Sequence, residues 1–221
     1  MKIFFVVLSV TLALGFAFSG CAHLGPEVRG SGVRKTETRD LKSFKSIDAS
    51  GAFEINVTCQ KPESVTIEAD DNLLPLIRTE VRDGVLYVSP DKGYSASKTV
   101  SLRITLPDVE NISTHGAGNI KVADVKNDKM EFHSTGAAQV EASGQTKTLT
   151  IESTGAGDID TSNLKAEKAS VRVTGAATVD VFASDQLDAN VSGAGHVSYS
   201  GDPKVNKSVS GIGSVDKKGA D

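Results

Sequence analysis

A chain of 221 residues with a formal net charge of −4 and no basic block lacks the clustered Lys and Arg on which nucleic-acid binding rests, so nucleic acid is excluded as a partner. Hydrophobic residues are 38% of the chain, and its 21 glycines bring the apolar-plus-Gly share close to that of globular domains, roughly 45–50%, enough to bury a core. With no Trp and only 5% aromatic residues, platforms for stacking sugars are scarce, which argues against glycan cleavage.

Near the amino terminus stand Lys2, an apolar run from Ile3 to Phe18, and the small residues Ser19 and Gly20 before Cys21. The run is shorter than the roughly twenty apolar residues a membrane span needs and ends on a small-residue site, so residues 1–20 read as a signal peptide. Phe18-Ser19-Gly20-Cys21 resembles the lipobox of bacterial lipoproteins, with Phe where Leu is preferred. The resemblance implies that Cys21 is the mature first residue, linked to diacylglycerol, and that the chain meets the membrane through this lipid. Ala22 follows where Asp favours inner-membrane retention, so the expected address is the cell envelope, at the outer membrane.

Residues 21–36 are polar, carry Pro26 and several glycines, and show neither structural period; they are expected to form a flexible tether. Residues 37–221 are expected to form one domain. The run Phe53, Ile55, Val57, Cys59 alternates as a half-buried strand does, placing Cys59 on the apolar face as a buried thiol. Asp70-Asp71-Asn72 ahead of Leu73-Leu74 could cap one helical turn that Pro75 would stop. The Asp83-Gly84 pair between apolar runs predicts a hairpin, residues 91–98 a polar loop, and Val100–Leu106 a further strand.

Beyond residue 106 the chain is periodic. Gly116, Gly136, Gly155, Gly175, Gly193 and Gly211 each precede an aliphatic residue by four positions, in order Ile120, Val140, Ile159, Val179, Val197 and Val215. Counted from each glycine, even offsets are mostly apolar and odd offsets polar. That alternation around a small-residue bend suits a strand, corner, strand unit with one buried face. The alanine after most of these glycines is expected to fit where stacked corners leave little room. A repeat of 18–20 residues predicts an all-β fold, a β-solenoid or parallel β-helix-like stack of coils with a less regular N-terminal β region.

The GAG-N-I, GAG-D-I and GAG-H-V corners, the segment from Arg39 to Phe53, and the E-A-D-D-N-L-L stretch from Glu68 to Leu74 resemble the bacterial head GIN family, a group labelled as adhesins, of unknown function and rich in lipoproteins. The resemblance spans residues 39–215. It implies a solenoid-like stack and transfers no catalytic residues.

The residues offer little chemistry of their own. His115 and His133 sit at odd offsets in adjacent units with no third ligand evident, so no metal site is expected. The glycine–aspartate run at 155–160 is not repeated as a calcium ladder requires. The column His115, Thr135, Thr154, Thr174, Ser192, Ser210 is expected to pair across strands. No G-x-S-x-G elbow is present, and no catalytic residue or cofactor is assigned. The expected function is a non-enzymatic adhesion or binding module for an envelope protein or polysaccharide, with Asp158, Asp160 and Asp180 as the candidate binding face. A structural envelope scaffold and a carbohydrate-active β-helix enzyme are the alternatives.

Overall fold

The computed structural model describes residues 27–219, so the export segment and Cys21 lie outside the described residues. Within them the protein is all-β. The strands are β1 (Val28–Arg29), β2 (Arg34–Arg39), β3 (Ser46–Thr58), β4 (Ser64–Asp70), β5 (Ile77–Arg82), β6 (Val85–Pro90), β7 (Tyr94–Ser95), β8 (Val100–Thr105), β9 (Asn111–Gly193), β10 (His196–Ser200), β11 (Lys204–Gly211) and β12 (Ser214–Lys217), with one 3-10 turn at Leu74–Leu76. A ten-stranded sheet holds all but β1 and β7, which pair separately.

Extended backbone runs through β9 for 83 residues, which would measure roughly 270 Å if straight. It is bent at glycines. Gly116, Gly136, Gly155, Gly175, Gly193 and Gly211 all have φ between 117° and 143°, which residues with a Cβ rarely adopt. A Cβ on Gly193 would lie 2.6 Å from the carbonyl oxygen of Gly175, and each of the other glycines faces the glycine of the preceding unit in the same way, down to Gly116 on Gly51. A second bend column sets Gly144 on Val125 and Gly201 on Ala183.

Registers confirm the spacing read from the glycines. β3 runs parallel to β9 with Gly51 opposite Gly116 and Ile55 opposite Ile120. β10 pairs in parallel with β9, Val197 opposite Val179, and with β12, Val197 opposite Val215, while β11 sets Gly211 against Gly193. The inward columns fill one core: Ile112, Phe132, Ile151, Val171 and Ala189 are buried, as are the six aliphatic residues after the glycines. Cys59 is fully buried among them.

The two ends are finished differently. At the amino-terminal end β8 pairs in parallel with β3, β4 runs antiparallel to β8, and β2 lies outermost against β4. The charged sequence RKTETR of β2 blunts this edge against further pairing. At the other end Lys207 stands where the preceding unit has buried Ala189, and its ammonium crosses to donate to the Val215 carbonyl at 2.8 Å. Lys217, in another inward column, bonds to Asp202 at 3.0 Å, and Ile212 in place of the corner alanine is 89% exposed.

Four expectations need correction. Ordered chain precedes residue 37: β1 pairs with β7, and β2 with β4 from Arg34 onward. The apolar period was missing there because β2 is an edge strand with both faces largely exposed, held by backbone bonds and polar side chains. For the same reason the expected loop 91–98 contains β7. Asp70, Asp71 and Asn72 cap no helix. The 3-10 turn has Leu73 at its N-cap without a side-chain bond and Pro75 inside its first positions, where an N–H is not needed. The three polar side chains instead bind the amino-terminal segment and its neighbour: Asp70 accepts from Ser97, Asp71 from the Ser31 hydroxyl at 2.6 Å, and Asn72 donates to the Arg29 carbonyl at 2.8 Å. Finally, Ala117, Ala137, Ala156, Ala176 and Ala194 are exposed, so their smallness is not enforced by packing. The close approach is made by the glycine itself.

The Asp83-Gly84 hairpin forms as expected, with positive φ at both turn residues and Arg82 opposite Val85, the geometry of a type I′ turn.

Candidate functional site

Outward side chains of the periodic region stand in columns because successive units keep register. Asp158 is exposed, and Asp160 and Asp180 are half-buried at the same offset in successive units. Thr161, buried beside Asp160, donates to the Asp180 carbonyl at 2.9 Å and so fixes these rungs as neighbours. The three acids thus share one outward face, but they are not equally free. Asp160 Oδ1 accepts from the Ser162 amide at 3.0 Å and hydroxyl at 2.6 Å, and Asp180 lies 3.9 Å from the Lys218 ammonium. In the units before Gly155 the same offset carries an ion pair, Lys121 to Glu141 at 2.9 Å.

The histidines are dispersed. His115 Nδ1 bonds to the Thr135 hydroxyl at 2.7 Å, a cross-strand rung of the expected hydroxyl column, while His133 Nδ1 faces Glu152 at 3.2 Å. His196 gathers a group that its position in the sequence did not advertise: Ser198 Oγ lies 3.0 Å from Nε2, Ser214 bonds to Nδ1, and Asp216 stands 3.8 Å from Nδ1. Ser198, His196 and Asp216 follow the order of a nucleophile, base and orienting acid. They lie on a strand face, however, whose neighbouring strands run in parallel register from Thr178–Phe182 to His196–Ser200 to Ser214–Lys217. The amides there serve the ladder and do not converge on an oxyanion.

Buried Cys59 and half-buried Asp108 carry raised protonation equilibria without forming a site. Burial, reinforced by Asp108, pushes the Cys59 thiol up to about 11, which makes it inert at neutral pH. Burial also raises Asp108, against the opposing hydrogen bond from Asn127. Among the described residues no group of three or more His, Cys, Asp or Glu side chains is arranged to hold a metal ion. No helix among them is long and apolar enough to cross a membrane.

The family described as "Putative auto-transporter adhesin, head GIN domain" matches residues 43–203, most of the chain. The chain belongs to this family. Among solved structures, this head GIN chain is similar to a "putative adhesin" from Bacteroides fragilis at 24% identity and a TM-score of 0.71, covering 86% of this chain and all of that one. It is also similar to a "putative adhesin" from Parabacteroides merdae at 17% identity and a TM-score of 0.57, and to a "putative lipid binding protein" from Parabacteroides distasonis at 20% identity and 0.56. Each of those two comparisons covers 88% of this chain and the whole of the other. These likenesses show a shared fold. No curated protein matches the chain.

Set against the head GIN motifs, the E-A-D-D-N-L-L stretch now has a physical role: Glu68 meets Arg34 at 3.3 Å, and the polar residues after it tie down residues 29–35 and 97. Sequence reading missed two features of the outer surface, the His196 group and a groove around Lys126 and Lys165. The signal for the second was present as Lys-Asn-Asp, Gln-Thr-Lys and Lys-Ala-Glu triplets spaced at about one period.

Proposed function

We propose that this head GIN chain is an envelope binding module: a β-solenoid of 18–20-residue coils, tethered by a lipid on Cys21, that engages an envelope protein or polysaccharide through its outer face without catalysing a reaction. The observation that carries the reading is the combination of constant inward columns with outward columns that change from unit to unit. Gln139, Asp158, Thr178 and His196 occupy one exposed offset beside a row of uniformly buried aliphatic residues. Such a surface is regular in spacing and variable in chemistry, which suits recognition of an extended partner along the stack. The parallel registers and stacked glycines support the solenoid form, and the adhesin label of the family supports the surface role.

The test is capture from envelope extracts by the full-length lipidated protein, alongside Cys21→Ser and a variant with Asp158, Asp160 and Asp180 changed to Ala. The reading expects a specific partner, release of Cys21→Ser from the membrane fraction, and weaker capture by the triple variant. Capture indistinguishable from a bead control would refute the binding role. An unmodified cysteine in the intact mass of the mature protein would refute the anchor. Turnover of a glycan that is lost in the triple variant would refute the non-enzymatic assignment.

A further inference from the structure

A groove of about 470 Å³ crosses the outer surface where three triplets, 126–128, 145–147 and 165–167, stand side by side, with Phe182 and Ser184 at one end. Its charges sort into two columns. In one, Lys147 Nζ meets Asp128 at 2.8 Å, and this bond, with the added field of Glu167, holds the ammonium firmly protonated. Asp128 is thus engaged by Lys147, with Glu167 in the same column. In the other column stand Lys126, Gln145 and Lys165, all exposed. Among the described residues, neither Lys126 nor Lys165 has a carboxylate within ion-pair distance, although acidic residues outnumber basic ones in the chain. Lys165 is also held in place: its ammonium lies 4.0 Å from the centroid of the Phe182 ring and 3.3 Å from the Ser162 carbonyl. A cation over an aromatic face with a carbonyl acceptor is fixed in position, and it keeps donors free for a further anion.

We propose that this groove binds an acidic polysaccharide, an extended chain whose carboxylates pair with Lys126 and Lys165 while its hydroxyl groups meet Gln145 and Ser184. The proposal rests on the binding-module reading and names a ligand class and a site for it. Lys126 and Lys165 are two rungs apart, about 10 Å at the usual interstrand spacing. A small anion cannot span that distance, whereas a chain carrying a carboxylate on successive repeats can. In a chain of net charge −4, two ammoniums without carboxylate partners lining one groove make that groove a local point of attraction for a polyanion. The groove is shallow and edged by amide and hydroxyl groups, which suits a hydroxyl-rich chain lying along the stack axis. Recognition there rests on charge and hydrogen bonds, in keeping with the few aromatic residues available.

The experiment measures binding of the mature full chain to immobilised polygalacturonate by biolayer interferometry, with dextran as the neutral glycan and poly-L-glutamate as the acidic peptide. Wild type is expected to bind polygalacturonate and not dextran, with binding that weakens as NaCl rises from about 0.05 to 0.3 M. Lys126→Gln with Lys165→Gln should weaken binding roughly tenfold or more, Lys165→Arg should restore most of the loss from Lys165→Gln, and Lys92→Gln with Lys98→Gln, exposed lysines outside the groove, should bind as wild type. Both lysines are exposed, so an unchanged far-UV circular dichroism spectrum is expected for the glutamine variants. No binding of polygalacturonate by wild type, undiminished binding by the double variant, or equal binding of poly-L-glutamate would each overturn the proposal. If envelope extracts still yield a specific partner in any of those cases, the ligand assignment fails while the binding-module reading stands. If they do not, that reading fails as well.

Discussion

Replacing Ile159 by Asp tests the division between inward and outward columns at a single pair of adjacent residues. Ile159 is 2% exposed in the column that continues through Val179 and Val197, whereas Asp158 beside it faces solvent. Removing the buried isoleucine forfeits about 1.5–3 kcal/mol of apolar burial. Inserting a carboxyl group with no partner adds about 2 kcal/mol even if the group avoids ionising by taking up a proton. The expected total of about 3–5 kcal/mol is a large part of the 5–15 kcal/mol that stabilises a typical domain. Asp158→Ser, by contrast, should change stability by no more than about 0.5 kcal/mol. Urea unfolding followed by far-UV circular dichroism reads both, and the Ile159→Asp midpoint should fall by about 1 M or more at an ordinary slope. Equal midpoints for the two variants would refute the assignment of even offsets to the core.

Other outcomes follow from particular residues. Gly175→Ala should cost about 1–3 kcal/mol or more in the same assay, since φ is +130° and the new methyl would press on the Gly155 carbonyl, while Ala176→Ser at the exposed neighbouring corner should be close to neutral. Hydrogen bonds from Ser97 hold the Asp70 carboxyl below its ordinary range. A lowered folded pKa means that this stabilisation is present above the ordinary Asp value of about 3.9 and is lost as pH falls toward the folded value. Acidification should therefore raise amide exchange in residues 28–36 ahead of the periodic region, and Asp70→Asn should raise it at neutral pH. Cys59 has the opposite sign. Its thiol is raised to about 11, so its contribution is intact below pH about 9 and declines between about 9 and 11, by roughly 3 kcal/mol at most. Maleimide labelling at pH 7.5 should be absent in the folded protein and complete in urea.

What the sequence made legible was the part of the fold that repeats. Isoleucine and valine at a fixed distance from each glycine mark the buried face, and the glycines mark the bends, because both requirements recur at every unit and are met locally. Asp70–Asn72 were misread for the opposite reason. Their partners, Ser31, Arg29 and Ser97, lie 27 to 43 residues away, and a local pattern of acids before leucines imitates a helix cap. The first half of strand β2, residues 34–36, was read as tether because an edge strand with little buried surface needs no apolar period. The corner alanines conformed to the period without being required by it. Lys207 escaped notice since its meaning appears only when it is seen to occupy an inward column and reach back to Val215. Of the candidate face, the common orientation of Asp158, Asp160 and Asp180 was legible from their offsets. Their occupancy by Ser162 and Lys218 was not, because hydrogen-bond geometry does not follow from spacing.

The most direct measurement of the central claim is site-specific photo-crosslinking in intact cells. A photoreactive phenylalanine analogue would be placed, one position at a time, at outward Gln139, Asp158 and Thr178 of the lipidated protein, and at Ser101 in the amino-terminal region. The account predicts adducts to the same envelope macromolecule from the outward periodic positions, lost when Cys21→Ser removes the protein from the membrane. Adducts no more frequent at those positions than at Ser101, or unchanged by Cys21→Ser, would contradict it.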